Sequence, residues 1–391
     1  MSDYPKIILK KAKDLSVLRR HPWVFSGAID TIEGSPKDGD LVTVYNAANK
    51  VLGVGHYQQA TIAVRLLSFK PVIVDQDYWN NAVAKAYQLR QQLGLAQSKL
   101  TNAYRLIHGE GDNLPGLIVD IYDTYAVVQS HSMGMHESRN TIAEALKNTY
   151  KSKLKGIYYK PAFKSGSGRI KAEYLLGESA GGRIKENGLS FEVNWEAGQK
   201  TGFFLDQREN RKYLGEFSKD AKVLNMYAYT GGFSLYALAG GAAQVDSVDS
   251  SKPAIETLED NVKLNGFSQH QSFAVDAMDF LKGMPTNKYD VIVLDPPAFA
   301  KHQSAKHNAV QAYKRINTFA INKINAGGIL FTFSCSQAID KKLFADTIRA
   351  AAIEAGREVQ ILQHISQPAD HPVNIFHPEG EYIKGLVLRV S

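Results

Sequence analysis

Apolar residues in the second half of the chain fall into short runs that alternate with longer stretches of helical periodicity. The short runs predict strands at 222–225, 244–249, 272–276, 291–295 and 328–333. Helical spacing predicts helices at 232–239, 252–265, 277–283 and 305–325. Strands that alternate with helices build a mostly parallel sheet with helices on both faces, so we predict an α/β fold for this region.

The first 186 residues show two other patterns. Short apolar runs between turn residues predict a small β-barrel-like domain at 1–70, with strands at 7–9, 41–45, 51–55 and 62–67. A mixture of helices and strands predicts a central α+β domain at 71–186. Its helices are expected at 78–93 and 136–151, and its strands at 104–108, 117–120, 125–130 and 156–160. The α/β domain then spans 187–391.

Composition excludes several classes of protein. Of the 391 residues, 44% are hydrophobic and 22% are charged, as in folded soluble proteins. The single cysteine, Cys335, excludes an internal disulfide and a cysteine-cluster zinc site, and the histidines show no metal-ligand spacing. We therefore predict no metal and a reducing, cytoplasmic location. No apolar run approaches the roughly 18–20 residues that span a bilayer, and the first residues lack a signal-peptide pattern, so we predict no membrane partner.

Charge is distributed unevenly along this chain, whose net charge is +7. Residues 151–172 contain seven lysines or arginines and no acid, and residues 296–339 also contain no acid. Basic stretches of this kind favour a polyanionic partner such as RNA, because lysine and arginine neutralise phosphates. A solvated basic surface explains each stretch equally well when it is taken alone.

Polar residues stand at the carboxyl ends of four predicted strands. The first strand leads into Asn225–Ser234, the second ends at Asp249, the third at Asp276-Ala277 and the fourth at Asp295-Pro296-Pro297. In a parallel sheet these ends share one edge, where ligands bind. Glycines let the backbone approach a ligand, a carboxylate such as Asp249 accepts ribose hydroxyls, and Asp276-Ala277 suits an adenine edge. Each feature alone also fits a plain turn or a helix N-cap.

The strand ends together predict an adenosine-containing ligand. A dinucleotide site requires G-x-G-x-x-G after the first strand, and a nucleoside triphosphate site requires G-x-x-x-x-G-K-[ST]. The sequence Tyr229-Thr230-Gly231-Gly232-Phe233-Ser234 contains neither pattern. An adenosine ligand without a phosphate group therefore remains, and S-adenosylmethionine (SAM) fits this description.

These motifs resemble those of class I SAM-dependent methyltransferases. The resemblance rests on Asn225–Ser234, Asp249, Asp276, Asp295-Pro296-Pro297-Ala298-Phe299 and Phe333-Ser334-Cys335-Ser336. More narrowly, the chain resembles the bacterial large-subunit ribosomal RNA methyltransferase I family over nearly its whole length. The further matching segments are Leu18–Phe25, Gly109–Gly116, Lys200–Arg208 and Ala369–Pro372. The chain departs from the family pattern at Ala298, where the family commonly has lysine.

The resemblance implies a Rossmann-like, mostly parallel seven-stranded sheet, preceded by a PUA-like RNA-binding domain and the central α+β domain. It also implies SAM as cofactor, large-subunit ribosomal RNA as partner and a homodimer. The activity implied is methylation of cytosine at C5. The cofactor-binding residues carried over are Phe204, Asn225, Tyr227, Tyr229, Gly231, Phe233, Asp249, Ser251, Asp276, Ala277, Asp295 and Pro296.

Cys335 and Asp295 are the predicted catalytic residues. Cytosine C5 is a weak carbon nucleophile, and attack of a thiolate on C6 activates it. Acid-free flanks favour the thiolate of Cys335. Asp295, expected one strand away, is assigned to the N3 and amino region of the cytosine. The alternative interpretation is that Cys335 is a small buried apolar residue.

RNA contacts are predicted for basic and aromatic residues. These residues are Arg19, Arg20, Trp23, Lys160, Lys164, Arg169 and Lys301. Arginines bind phosphates and an aromatic ring stacks on a base. We interpret Phe25 as a core residue rather than a stacking residue.

Two other functions remain open on the sequence. The first is methylation of an exocyclic base amine, because Asp-Pro-Pro followed by an aromatic residue also suits amino-group methyltransferases; Cys335 would then be dispensable. The second is a non-catalytic RNA-binding factor in ribosome assembly that retains a cofactor pocket. Abolition of methylation by a change at Cys335 separates the main function from the first, and any methyl transfer separates it from the second.

Overall fold

Two compact units make up the structure, a computed structural model that describes residues 4–165, 168–300 and 302–391. The first unit comprises Met1–Asn187, Val193–Leu205 and Ala369–Gly380. The second comprises Gly188–Glu192, Asp206–Pro368 and Glu381–Ser391. The division into three domains at 70 and 186 stays a prediction.

The first unit begins with a six-stranded sheet. Its elements are β1 (Lys6–Leu9), α1 (Leu15–Leu18), β2 (Trp23–Phe25), β3 (Ile29–Glu33), β4 (Leu41–Tyr45), β5 (Val51–Tyr57) and β6 (Ile62–Ser68). The strand order is β2-β6-β5-β4-β1-β3, and only β1 and β4 are parallel neighbours. The inward residues, among them Ile7, Val42, Val44 and Val64, are fully buried. All four predicted strands are present, whereas β2 and β3 were not predicted.

The prediction that Phe25 lies in the core is wrong. Strand β2 alternates, so Val24 is buried while Phe25 on the opposite face is 42% exposed. Strand β3 has the burial pattern of an exposed edge strand, in which no residue is fully buried. A strand of this kind has no apolar face and leaves no periodic signal in the sequence.

A mixed sheet with two long helices follows in the first unit. The elements are α2 (Gln76–Gln92), β7 (Ala103–His108), β8 (Leu117–Tyr122), β9 (Tyr125–Ser130), α3 (Met133–Glu137), α4 (Arg139–Tyr150), β10 (Gly156–Tyr159), β11 (Lys164–Ser165), β12 (Gly168–Arg169), β13 (Glu173–Leu176) and β14 (Gly181–Glu186). The next strand, β15 (Leu189–Asn194), begins in the second unit and ends in the first. The five-stranded sheet has the order β13-β10-β9-β8-β7. Helix α2 begins at the N-cap Asp75 and buries Trp79, Val83 and Ala86 at helical spacing.

The second unit contains the seven-stranded sheet. Its elements are α5 (Arg208–Gly215), β16 (Lys222–Met226), α6 (Gly232–Ala239), β17 (Gln244–Val248), α7 (Lys252–Leu264), β18 (His270–Phe273), α8 (Ala277–Gly283), β19 (Val291–Leu294), α9 (Lys306–Lys323), β20 (Gly328–Ser334), α10 (Lys341–Ala355), β21 (Val359–Ile365) and β22 (Lys384–Val390). The order is β18-β17-β16-β19-β20-β22-β21, and only β22 runs antiparallel to its neighbours. This arrangement confirms the predicted α/β fold with its mostly parallel seven-stranded sheet.

Strand order determines where a ligand can bind in this sheet. Strand β16 lies between β17 and β19, and the chain proceeds from it to β17 and β18 on one side before it returns to β19 on the other. The crevice at such a reversal, outside the carboxyl ends of the strands, is the usual ligand site of open α/β sheets.

The helices were also compared with the length and hydropathy of membrane spans. Among the described residues, none of the helices has both the length and the apolar character that crossing a bilayer requires.

Candidate functional site

The loop between β16 and α6 is bent into an unusual conformation. Tyr227, Tyr229 and Gly231 have φ angles of +59°, +47° and +86°, so three residues adopt the left-handed region within five positions. A side chain at Gly231 is excluded, because its Cβ would lie 2.7 Å from Leu258 Cγ. Left-handed residues turn backbone groups toward one side, and two non-glycine residues held there indicate a loop shaped for a ligand.

Asp249 closes this loop from the next strand. Its Oδ2 accepts a hydrogen bond from the Tyr229 backbone N–H at 2.9 Å, and its Oδ1 accepts one from the Ser251 N–H at 2.9 Å. The residue is half-buried. Each carboxylate oxygen has a second lone pair, so the fixed and partly exposed carboxylate can accept two further hydrogen bonds. This geometry suits a pair of vicinal hydroxyls.

Asp276 lies differently from the expected strand end. Strand β18 ends at Phe273 rather than at 276, so the predicted strand 272–276 was wrong by about three residues. Asp276 is exposed and is the N-cap of α8, where its Oδ1 accepts from Met278 N–H at 2.8 Å and Asp279 N–H at 3.1 Å. Ala277 follows as the first residue of that helix and is buried. Binding of adenine here stays a prediction.

Asp295 is positioned by residues to which the sequence analysis assigned no role. Its Oδ2 accepts a hydrogen bond from Gln207 Nε2 at 3.1 Å. The Gln207 Oε1 accepts in turn from Asn210 Nδ2 at 2.6 Å, and Asn210 also reaches the Ser366 carbonyl at 3.2 Å. Gln207 and Asn210 are both buried. The carboxylate orientation at the end of β19 therefore depends on α5 and the turn before it.

Cys335 follows β20 and lies beside the loop after β19. Its Sγ is 4.0 Å from the Pro296 carbonyl oxygen, and the residue is half-buried. The next residue fixes the two loops together, since Ser336 Oγ accepts from the Ala300 N–H at 3.2 Å. Asp295, Pro296 and Cys335 thus meet at the same sheet edge, as the sequence predicted. The sulfur is neither packed inside the core nor fully exposed.

Two further side chains contact the turn that carries Cys335. The Tyr313 hydroxyl on α9 lies 3.0 Å from Ser336 Oγ, and burial raises the pKa of Tyr313. Lys384 Nζ donates to the carbonyl oxygen of Ser336 at 2.8 Å, and burial lowers the pKa of Lys384. Neither residue belongs to a motif at a predicted strand end. They belong to the site only because the fold brings them close to Ser336, and this closeness cannot be inferred from the sequence.

Other predicted cofactor residues have structural contacts of their own. Asn225 on β16 is buried and donates to Ser234 Oγ on α6 at 2.8 Å. Phe233 is buried, with its ring centroid 5.6 Å from that of Phe333. Ser251 caps α7. Burial, and then the nearby Asp276 carboxylate, raise the pKa of Tyr227 to about 12, so its hydroxyl stays protonated.

Phe204 lies in the first unit, where the Lys200 ammonium is 4.5 Å from its ring centroid. The other cofactor residues predicted from the sequence all lie in the second unit. Direct contacts with the cofactor stay predictions for Phe204, as they do for the residues at the strand ends.

The predicted RNA-binding residues of the first unit differ in how freely they reach solvent. Arg19 and Arg20 are exposed, and the Arg20 guanidinium lies 5.7 Å from the Phe69 ring centroid. The half-buried Trp23 donates its indole N–H to Glu110 at 2.9 Å. Lys160 donates to the backbone carbonyls of Trp195 and Gly198, so its ammonium also has a structural role. Lys301 and the side chains of Lys164 and Arg169 lie outside the described residues.

Three side chains of the first unit approach one another as metal ligands do. The ligand atoms of His21, His377 and Glu379 lie within 4.8 Å of one another. However, His21 Nδ1 accepts a hydrogen bond from the Trp23 backbone N–H at 3.2 Å. In a neutral imidazole the proton then resides on Nε2, which faces Glu379 at 3.8 Å and has no lone pair to offer. The geometry therefore gives no support for a metal here, and its absence stays a prediction.

Comparison with known proteins identifies both parts of the architecture. Residues 158–375 match the family model of S-adenosylmethionine-dependent methyltransferases, and residues 7–69 match that of the PUA-like domain. The first match spans more than half of the chain. It confirms the predicted class of methyltransferase and its cofactor, SAM, and the second match confirms the PUA-like domain.

Relatives and solved structures agree with these matches. A ribosomal RNA large subunit methyltransferase I from Vibrio cholerae is 38% identical over 99% of both chains. The protein of that name from Aeromonas salmonicida is 38% identical over 98% of both. A Streptococcus mutans structure assigned as a SAM-dependent methyltransferase has a TM-score of 0.84 at 24% identity, covering 98% of this chain and 99% of its own. A methyltransferase structure complexed with SAH has a TM-score of 0.85 at 24% identity, with the same coverage. These two structures show a shared fold.

Proposed function

This chain belongs to the ribosomal RNA large subunit methyltransferase I family, and from that premise we propose that it methylates C5 of a cytosine in large-subunit ribosomal RNA. Cys335 acts as the nucleophile and Asp295 holds the base. The observation that carries the proposal is the place of the Cys335 sulfur. It is half-buried, 4.0 Å from the Pro296 carbonyl oxygen, at the sheet edge where the polar strand ends meet.

The residues at this edge fit the cofactor of the family. The donor set consists of one fixed carboxylate, Asp249, and a backbone loop with left-handed residues at Tyr227, Tyr229 and Gly231. A carboxylate repels a phosphate group and accepts hydrogen bonds from ribose hydroxyls, so the site suits a nucleoside without a pyrophosphate. When bound, SAM supplies an electrophilic methyl group on a sulfonium. Asp249 and the loop hold the nucleoside, and the protein's own groups prepare the base.

Cys335 prepares the cytosine by adding to its ring. The thiolate forms a bond to C6, and the electron pair of the C5–C6 double bond moves toward C5, which becomes nucleophilic. Once C5 has received the methyl group, its proton leaves to a base. The electron pair of that C–H bond restores the double bond and expels the thiolate. Sulfur is therefore regenerated, and the net change is replacement of the C5 proton by methyl.

Asp295 and the basic surfaces hold the substrate in this scheme. Gln207 orients Asp295, so its carboxylate is preset to accept hydrogen bonds from the amino edge of a cytosine. A base inside a helix is out of reach, so the target is flipped out or taken from single-stranded RNA. The exposed Arg19 and Arg20 bind phosphates. Charge–charge attraction from the acid-free stretches draws the RNA to the protein.

Product analysis tests this function directly. The purified protein is incubated with large-subunit ribosomal RNA and methyl-labelled SAM, and the digested RNA is separated by liquid chromatography and mass spectrometry. The expected product is 5-methylcytidine, with small-subunit RNA as the control. Label in N4-methylcytidine would contradict the proposal and favour exocyclic amine methylation. SAM binding without transfer to any RNA would favour the ribosome assembly factor.

A further inference from the structure

Lys384 is a buried lysine next to the turn that carries Cys335, and the catalytic residues named above do not explain it. It is the first residue of β22, where it pairs with Ser334 across the antiparallel ladder. Only 5% of its surface is exposed. Burial of an ammonium is unfavourable unless its partners compensate for the lost water. A buried cation at the edge of a candidate active site therefore calls for a specific role.

The ammonium is held by backbone carbonyls rather than by an acid. Nζ donates to the carbonyl oxygens of Ser336 and Tyr382, both at 2.8 Å. Ser336 directly follows Cys335, so the first of these bonds ties the ammonium to the cysteine turn. Within the described residues no carboxylate forms an ion pair with Lys384. Two of the three ammonium protons are used, and its positive charge is not neutralised by contact.

The acids nearest to Lys384 have partners of their own. Glu381 forms an ion pair with Lys341 at 2.5 Å. Asp340 is the N-cap of α10, where its Oδ1 accepts from the Leu343 N–H at 2.8 Å. Burial lowers the pKa of Lys384, while Cys335, Glu381 and Asp340 raise it in that order of strength. Among these three groups, the cysteine raises the pKa of Lys384 most.

The other titratable groups around Cys335 come from α9 and β19. Tyr313 on α9 faces the turn, and burial raises the pKa of its hydroxyl, so it stays neutral near pH 7. Asp295, which follows β19, is an acid, so it cannot stabilise a thiolate, and it accepts a hydrogen bond from Gln207. Lys384 is thus a cation that contacts this turn, through the Ser336 carbonyl.

We propose that Lys384 is a positioning residue for Cys335, whose ammonium stabilises the thiolate and whose carbonyl bonds fix the turn. The inference deepens the proposed function and rests on it. Attack on C6 requires the thiolate, and a nearby opposite charge favours the charged form. Lys384 neither forms a bond to the substrate nor transfers a proton. Its effect is on the fraction of Cys335 that is ready to react.

Alkylation of the full-length protein measures this fraction. The chain has one cysteine, so the rate of reaction with iodoacetamide reports on Cys335 alone. Wild type, Lys384→Met and Lys384→Arg are compared from pH 5 to pH 10, without RNA. We expect the wild-type midpoint below about 8.5, the value of an ordinary cysteine. In Lys384→Met we expect a rise of about one pH unit, which slows alkylation about tenfold below the midpoint. Lys384→Arg keeps the charge and retains most of the wild-type profile.

Lys323→Met is the matched control. Lys323 also donates to two backbone carbonyls of the second unit, those of Lys282 and Met284, both at 2.6 Å. We expect no change of midpoint in this variant. A shift equal to that of Lys384→Met would show that loss of any such lysine has the effect, and would overturn the proposal. An unchanged midpoint in folded Lys384→Met, checked by circular dichroism, would overturn it as well.

The pH profile of wild-type alkylation tests the inference even if the Lys384 variants fail to fold. A wild-type midpoint at or above about 8.5 would contradict the inference without any substitution. The test also separates this inference from the proposed function. A Cys335→Ser protein that still methylates RNA would refute covalent catalysis and leave the alkylation result intact. A lysine-independent profile would refute the role of Lys384 and leave the nucleophile in place.

Discussion

The two units of this protein each contain an aspartate on or just after a strand, and the two carboxylates differ in burial and in hydrogen-bond partners. In the first unit, Arg105 donates to both oxygens of Asp120 at 2.8 Å, and the Thr201 hydroxyl adds a third bond at 2.6 Å. Asp120 is fully buried. In the second unit, Asp249 is half-buried and bound by two backbone N–H groups. No arginine or lysine side chain pairs with Asp249 among the described residues.

This difference in partners separates a carboxylate that stabilises the fold from one that can bind a ligand. A buried carboxylate with a bidentate arginine has its lone pairs satisfied, so it stabilises one conformation and offers nothing to a ligand. A carboxylate fixed by backbone groups, with lone pairs still facing solvent, is preorganised to bind. Substitutions should therefore damage stability in the first region and chemistry or affinity in the second. The predictions below test this separation, from the largest expected effect to the smallest.

Cys335→Ser should lower the rate of methyl transfer at least about 10³-fold, because the hydroxyl is a much weaker nucleophile and catalytic nucleophiles carry effects of this size. Because Cys335 is half-buried and the change is nearly isosteric, stability and cofactor affinity should stay close to wild type. Labelled transfer to RNA and calorimetric binding of SAH measure the two quantities. Activity within tenfold of wild type would remove the covalent mechanism.

Asp120→Asn should show the reverse pattern. It leaves the buried Arg105 guanidinium without its countercharge, which typically costs about 3–5 kcal/mol of unfolding free energy. All three tryptophans, Trp23, Trp79 and Trp195, belong to the first unit, so their fluorescence during denaturation reports on that unit. As control, Glu173→Gln breaks the partly exposed pair with Arg139 and should cost at most about 1 kcal/mol. Equal losses in the two variants would contradict the distinction.

Acid should weaken the first unit through His56. Burial, and then Arg65, lower the pKa of His56 from 6.5 to about 4. Between these values the unfolded chain binds a proton that the folded chain does not, so unfolding free energy falls as pH falls, by about 1.4 kcal/mol per unit from this group. Tryptophan-detected denaturation at pH 7 and pH 4.5 should show a smaller loss in His56→Gln than in wild type. An equal loss would mean that other groups cause it.

Asp249→Asn should weaken SAH binding by about 1–3 kcal/mol, or about 5- to 150-fold, the cost of losing a charged acceptor. Asp290→Asn is the matched control, because Asp290 precedes β19 at the opposite edge of the same sheet and accepts from the Lys222 N–H at 2.8 Å. Titration calorimetry should show unchanged affinity in that control. Unchanged affinity in Asp249→Asn would remove the ribose assignment.

The basic stretch should contribute the smallest effect. Lys151, Lys153 and Lys155 are exposed, and their replacement by glutamine should reduce the slope of log affinity for RNA against log salt by up to about 2. Lys263, Lys282 and Lys342 are exposed lysines with an acid one helical turn away, and their triple replacement is the control. An equal reduction in both triple variants would show that net charge alone matters.

Much of the second unit could be predicted because its strands are buried on both faces. Val291–Leu294 is fully buried, and such continuous apolar runs between helices are easy to recognise. Strand β21 was missed because it has no fully buried residue. Its antiparallel partner β22 was missed as well, although six of its seven residues are buried. The third strand was misplaced for the same reason as β21, because β18 is only partly buried and Asp276 serves as a helix cap instead.

Residues of the candidate site could also be predicted only where a local sequence pattern marks them. Asp249, Asp295 and Cys335 were predicted because each follows a strand and the topology brings strand ends together. Gln207, Asn210 and Lys384 were not, because they reach the site from elements far away in sequence. Their contacts result from tertiary packing, which no local pattern records. The fixed orientation of Asp295 and the charge beside Cys335 both depend on these unpredicted residues.

Trapping with an RNA that contains 5-fluorocytosine tests the central claim most directly. Fluorine at C5 cannot leave as a proton does, so the bond between Cys335 and C6 persists after methyl transfer. With labelled SAM, wild type should form a denaturant-stable protein–RNA adduct that carries the label, and Cys335→Ser should form none. Methylation of the normal RNA by a protein that forms no adduct with the fluorinated RNA, or an adduct that survives in Cys335→Ser, would contradict the account.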